Sequence, residues 1–198
     1  MALDFTTAPS QQDRPLIPND TLVKVCMEVT HGGGGPDGWL TQAKTGNSLG
    51  LDAKFKVMDG EFKGCIIFNR FTLMGPTENH KKAAVISNAT LRAILESAKN
   101  VAPGPTKTNP EWLAAMRFDN YGSFHGLCFL MKVGVTPAKD GYEAKNNIKV
   151  VIIPGMPEYF HVDQVPAAVP TNSSTLPFDA APLPSPAVSI DKPKWANS

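Results

Sequence analysis

The sequence predicts a mainly β domain with one long helix between its third and fourth strands, a short second helix and a disordered C-terminal tail. Three observations predict it. Five segments between residues 21 and 154 alternate apolar and polar side chains or run rich in Val and Ile. One segment, 78–100, has apolar residues at helical spacing and no Gly or Pro. From residue 162 onward Pro, Ala and Ser dominate and no period survives. Residues 1–18 therefore read as a flexible arm, 19–161 as the compact domain and 162–198 as the tail.

Strand one is TLVKVCMEV, residues 21–29, and a Gly-rich loop, 31–47, follows it. Strand two, 48–57, sets Leu49, Leu51, Ala53, Phe55 and Val57 on one face and Asp52, Lys54 and Lys56 on the other. Asp59-Gly60 signals a tight hairpin turn, because Gly accepts a positive φ. Strand three, EFKGCIIFNRFTL, spans 61–73. One of its faces carries Cys65, Ile67, Asn69, Phe71 and Leu73; the other carries Ile66, Phe68, Arg70 and Thr72.

The helix over 78–100 has an apolar stripe of Ala84, Leu91, Ile94, Leu95 and Ala98, with Lys81, Arg92, Glu96 and Lys99 opposite. Asn109-Pro110 starts the second helix, an N-cap followed by Pro at the first helical position, and it runs to about Phe118. Strand four covers 126–135, a connection holding Asp140-Gly141 covers 137–146, and strand five covers 147–154. Five strands in the order β-β-β-α-β-β can close into a small barrel, which removes exposed edges, and this is the element order of an OB-fold. A different small barrel or an open α+β sheet shares that order.

Composition narrows the function classes. Net charge is +1 and the sequence pI near 7.7, so any anion-binding surface is a local arrangement of charge. The three cysteines, Cys26, Cys65 and Cys128, are widely spaced in apolar, strand-like runs and read as buried free thiols. No apolar run reaches membrane-spanning length, and the first 15 residues lack the pattern of a signal peptide, so a cytoplasmic protein is expected. Gly32 to Gly35 is not followed by the Gly-Lys-Ser/Thr of a phosphate loop. His31, His80, His125 and His161 stand at no metal-ligand spacing, and His125 and Cys128 point to opposite faces of a strand. Carboxylates form no cluster suited to two-metal chemistry. The expectation is a non-enzymatic protein without a metal or other cofactor.

An OB-fold tends to bind oligonucleotides on the strand two–three face and through the one–two and four–five loops. Here the face offers Lys54, Lys56, Phe68 and Arg70; the first loop holds Trp39 and Lys44; the second holds Lys139, Tyr142 and Lys145. Each place joins an aromatic ring to at least one cation. Unpaired bases stack on rings and phosphates pair with Lys and Arg, so this interleaving suits single strands over duplex. Phe68 packed under the helix, with Arg70 snorkelling at the barrel rim, is the competing placement. Trp39 and Tyr142 lie in polar loops and read as exposed.

The stretches IPNDTLVKV, VMDGEFKGCIIFNRFTL and FLMKVGVTPAKDGYEAKNNIKVVIIP, across residues 17–154, resemble a family of small bacteriophage and prophage proteins described as single-stranded DNA-binding or recombination-module proteins. The most specific parts are V-x-x-G-E-F-K-G-x-x-I-F and K-V-G-V…G-Y-E-x-K-N-x-I. The resemblance implies a non-enzymatic OB-fold protein that coats single-stranded DNA during phage replication or recombination in the bacterial host cytoplasm. It implies phage replication or recombination proteins as further partners and leaves a homo-oligomer open. Phe62, Lys63, Phe68, Tyr142 and Lys145 fall inside its motifs. The Pro-rich, nearly neutral tail departs from the acidic tails of many single-strand binders; a short apolar motif such as Leu176-Pro177-Phe178 is of peptide-ligand type, and a plain disordered tail is the competing reading. A protein-interaction or assembly module without nucleic-acid affinity is the alternative, and near-zero net charge favours it.

Overall fold

The computed structural model describes residues 16–44, 47–103, 109–139 and 141–162. The expected arm up to residue 15 and the tail from residue 163 lie outside the described residues. The chain divides into two units, Met1–Val165 and Pro166–Ser198, and everything described belongs to the first.

That unit is mainly β: one antiparallel sheet of six strands. In chain order they are β1 (Leu22–Val29), β2 (Thr41–Gln42), β3 (Leu49–Val57), β4 (Ile66–Met74), β5 (Cys128–Thr136) and β6 (Lys145–Ile152). Helices α1 (Glu78–Ala98) and α2 (Pro110–Ala115) and a 3₁₀ turn (Tyr121–Phe124) lie between β4 and β5. Across the sheet the order is β4-β3-β1-β5-β6, and the two-residue β2, which the sequence does not signal, extends the ladder of β3 beyond β1. Among the described residues no ladder joins β4 to β6, so the sheet is not closed.

Alternation decides which face packs. Val23, Val25, Met27 and Val29 of β1 point inward with Leu51, Ala53, Phe55 and Val57 of β3, and Phe55 meets Phe71 and Phe129 edge-on at 6.3 and 5.6 Å. Helix α1 covers this core with Leu91, Ile94 and Leu95. Thr77 caps it by accepting from the His80 N–H at 3.2 Å, while the His80 ring accepts from the Thr77 N–H. Asn109 accepts from the Glu111 and Trp112 N–H groups, and Pro110 opens α2 as its sequence predicts.

Four expectations need correction. The β3–β4 hairpin has a longer connection than the strand bounds 48–57 and 61–73 predict. Gly60 and Gly64 both take positive φ, +72° and +83°, and β4 begins only at Ile66. Glu96 is not on the solvent side of α1. It is 3% exposed and accepts from Arg92 Nε at 2.8 Å and Trp112 Nε1 at 3.1 Å, because α2 folds over that face. Cys26 and Cys128 are neither free nor in the core; they form a disulfide on the outward face of β1 and β5, and Cys65 alone keeps a free thiol. The fourth concerns His125, which ends the 3₁₀ turn rather than standing on a strand with Cys128, and whose Nδ1 accepts from the Val29 N–H at 3.3 Å; His80 caps α1 and His31 meets Trp39 edge-on at 5.0 Å.

After β6 the chain turns back over the outer face of β5 and β6, where Val162 joins Leu130 and Ile152 in a second small core. Lys24 Nζ donates to the Val162 carbonyl, Tyr159 Oη donates to the Ser97 carbonyl at 3.1 Å, and Lys132 pairs with Glu158 at 2.5 Å. The Glu158 hydrogen bond holds the Lys132 ammonium above its ordinary pKa. Among the described residues no helix is long and apolar enough to cross a membrane.

Candidate nucleic-acid interface

Strands β3 and β4 pair Lys56 with Ile66, Lys54 with Phe68 and Asp52 with Arg70. Cross-strand partners share a face, and the neighbouring Phe55, Ala53 and Ile67 are buried. The partners therefore point away from the core. Phe68 is 65% exposed, with Lys54 directly opposite on β3. Of the two placements the sequence allows for Phe68, the structure adopts the outward one. Ile66, also exposed, extends the apolar surface beside it.

Across the open seam lies the start of β6. Lys145 and Ala144 form a cleft of about 250 Å³ with Leu16, Ile66 and Phe68. Asn146 forms part of this cleft as well, but its amide is spent on the arm: Oδ1 accepts from the Ile17 N–H at 3.0 Å and Nδ2 donates to the Ile17 carbonyl at 2.8 Å. Lys139 and Tyr142 exchange backbone hydrogen bonds of 3.1 and 2.9 Å around a turn that Gly141, at φ +81°, completes. The turn projects Tyr142, which is 80% exposed. One end of the face thus holds Lys54, Lys56, Ile66, Phe68 and Lys145, with Lys139 and Tyr142 on the connection that leads into Lys145. Among the described residues no ion pair engages Lys54, Lys56 or Lys145.

The other end differs from expectation. Arg70 donates to both oxygens of Asp52 at 3.1 and 3.2 Å and to the Thr41 carbonyl at 2.7 Å. Its charge is cancelled within the face, and its guanidinium ties β2 to β3. Gly50 makes room for this, since a Cβ there would lie 3.0 Å from Arg70 Nε and 2.8 Å from the Phe71 carbonyl oxygen. Trp39 is not a loop ring in solvent. It packs partly buried against the core, and its indole lies so close to Gly122 that a Cβ at that position would stand 2.4 Å away. Lys44 is exposed just beyond β2. Thr41 pairs with Gly50 and Ile66 with Lys56, so these two ends are about 20 Å apart along β3.

The structure therefore joins Lys54, Lys56, Phe68 and Lys145, adds Ile66 and Leu16, separates Trp39 and Lys44 from them, and leaves Arg70 beside Phe68 with its charge paired to Asp52. Ile66 was legible from strand alternation. Leu16 was not, because it enters only through the hydrogen bonds of Ile17 to Asn146. Neither a protein-family model nor a curated protein matches the chain.

Proposed function

We propose that this protein binds single-stranded DNA across the β3–β4 face, as a non-enzymatic coat in phage DNA replication or recombination. The observation that carries the reading is Phe68, exposed on β4 with Lys54 opposite, Lys56 one position along and Lys145 across the cleft. A buried-face strand has no use for that ring in water, whereas an unpaired base stacking on it gains about 1–3 kcal/mol. The three ammonium groups would replace counterions on the passing phosphates. Tyr142 offers a second ring next to Lys145.

The fold we infer is an OB-type barrel. Strand order β4-β3-β1-β5-β6, with α1 between β4 and β5, is that of such a barrel cut along one seam. The seam lies between β4 and β6, where α1 packs against both. Cytoplasmic action in a bacterial host accompanies this reading.

Exposed Val85 and Ile86 on α1, 70% and 68% accessible, favour a second reading in which the domain is a protein-interaction module. One titration separates the two. A labelled dT oligomer, a duplex of the same length and two salt concentrations are followed by fluorescence anisotropy. Tight single-strand binding that exceeds duplex binding and weakens with salt is the expected result. Absence of binding at low salt removes the nucleic-acid reading and leaves the interaction module.

A further inference from the structure

Cys26 and Cys128 are the last partners of the β1–β5 ladder, their Cα atoms 4.0 Å apart, joined across 102 residues of sequence. Their neighbours Val25, Met27 and Phe129 are fully buried, so the bond lies on the opposite, outward face, and both cysteines are partly exposed. Beyond them regular pairing stops at Leu127 and at Gly126, whose φ is +84°. On its other side Cys26 pairs with Lys56, and Lys24, Glu28 and Lys54 share that face. An adjacent ammonium favours thiolate over thiol, and thiolate is the species that exchanges. Partly exposed disulfides are the ones that small thiols reach.

We propose that Cys26 and Cys128 are a reversible thiol–disulfide exchange site, opened by small thiols and closed by disulfides of the glutathione class in the folded protein. Closure is balanced as follows. The Cys26 thiolate attacks oxidised glutathione, forming a mixed disulfide and expelling one glutathione thiolate. The Cys128 thiolate then attacks the Cys26 sulfur and expels the second. The protein dithiol loses two electrons, glutathione disulfide gains them, and the two protons pass to the released thiolates. The closed bond encloses β3, β4 and both helices in one covalent loop, which restricts the unfolded chain and raises the unfolding temperature. This inference stands independently of nucleic-acid binding.

The test equilibrates the full-length native protein with oxidised or reduced glutathione, quenches in acid, denatures and alkylates with N-ethylmaleimide. The expected count is one adduct, on Cys65, in the oxidised sample and all three cysteines in the reduced one, reversing on reoxidation. A linked Cys26–Cys128 peptide accompanies the oxidised state. The thermal midpoint falls by about 5–15 °C on reduction. Cys26→Ser takes the lower midpoint in both buffers. Three adducts after oxidised glutathione, or a bond that thiols open only in denaturant, overturns the proposal. The adduct count reads the bond directly, even where the serine variant does not fold.

Discussion

Truncating Phe68 to alanine sets the binding role of its ring against a structural one. The ring is 65% exposed, stands opposite Lys54 on β3 and lines one cleft. Removing it costs the fold a cross-strand contact of about 0.2–1 kcal/mol. Losing one base stack costs binding about 1–3 kcal/mol, a drop in affinity of about 5- to 150-fold. Urea unfolding and anisotropy with a dT oligomer measure the two terms on the same variant. The expected outcome is a nearly unchanged unfolding free energy beside clearly weakened single-strand binding. Phe55→Ala is the contrast: its ring is fully buried between Phe71 and Phe129, and its loss costs about 3–5 kcal/mol of stability. If Phe68→Ala behaves like Phe55→Ala, the ring is structural. If it leaves both stability and affinity unchanged, the face does not stack bases.

Four other outcomes are expected. The Lys54→Ala/Lys56→Ala variant should lower the slope of log affinity against log salt by about 1.4, at roughly 0.7 per phosphate contact, and a slope equal to that of the parent would exclude both lysines from the path. Because Arg70 and Asp52 cancel, the Asp52→Ala/Arg70→Ala variant should hold single-strand affinity within about twofold while losing about 1 kcal/mol of stability with the Arg70–Thr41 bond; a tenfold affinity loss would return Arg70 to the interface. Gly122→Ala pushes a methyl group into the Trp39 ring, and urea unfolding should register about 1–3 kcal/mol of destabilisation. Burial, and then the Asp37 carboxylate, hold the Tyr121 phenol above its ordinary pKa of 10.0. The unfolded chain releases that proton first, so this contribution is complete below pH 10.0 and is lost as pH rises through the folded value; urea midpoints of Tyr121→Phe should lack that loss.

Much of this molecule follows from local rules that a sequence expresses directly. Side-chain alternation in β3 buries Leu51, Ala53, Phe55 and Val57 and thereby turns Lys54 and Lys56 outward. The Asn109-Pro110 start of α2 and the long period of α1 are properties of a few consecutive residues, and the structure keeps both. The same alternation lists Ile66, Phe68 and Arg70 on one face of β4, though not which face meets water.

Tertiary pairing settled the rest. Arg70 reads as a free cation until β3 brings Asp52 opposite it and β2 brings the Thr41 carbonyl within reach. Trp39 reads as a loop ring until the turn at Gly122 closes on it, and Glu96 as a surface carboxylate until Trp112 covers it. Cys26 and Cys128 become a pair only because β1 and β5 lie side by side, and Lys145 meets Phe68 only across the seam between β4 and β6. Sequence by itself determined the direction in which each side chain leaves its strand or helix, because that direction depends on backbone geometry within a few residues. Which group it then meets depends on chain segments tens of residues away, and only the folded sheet brings those together.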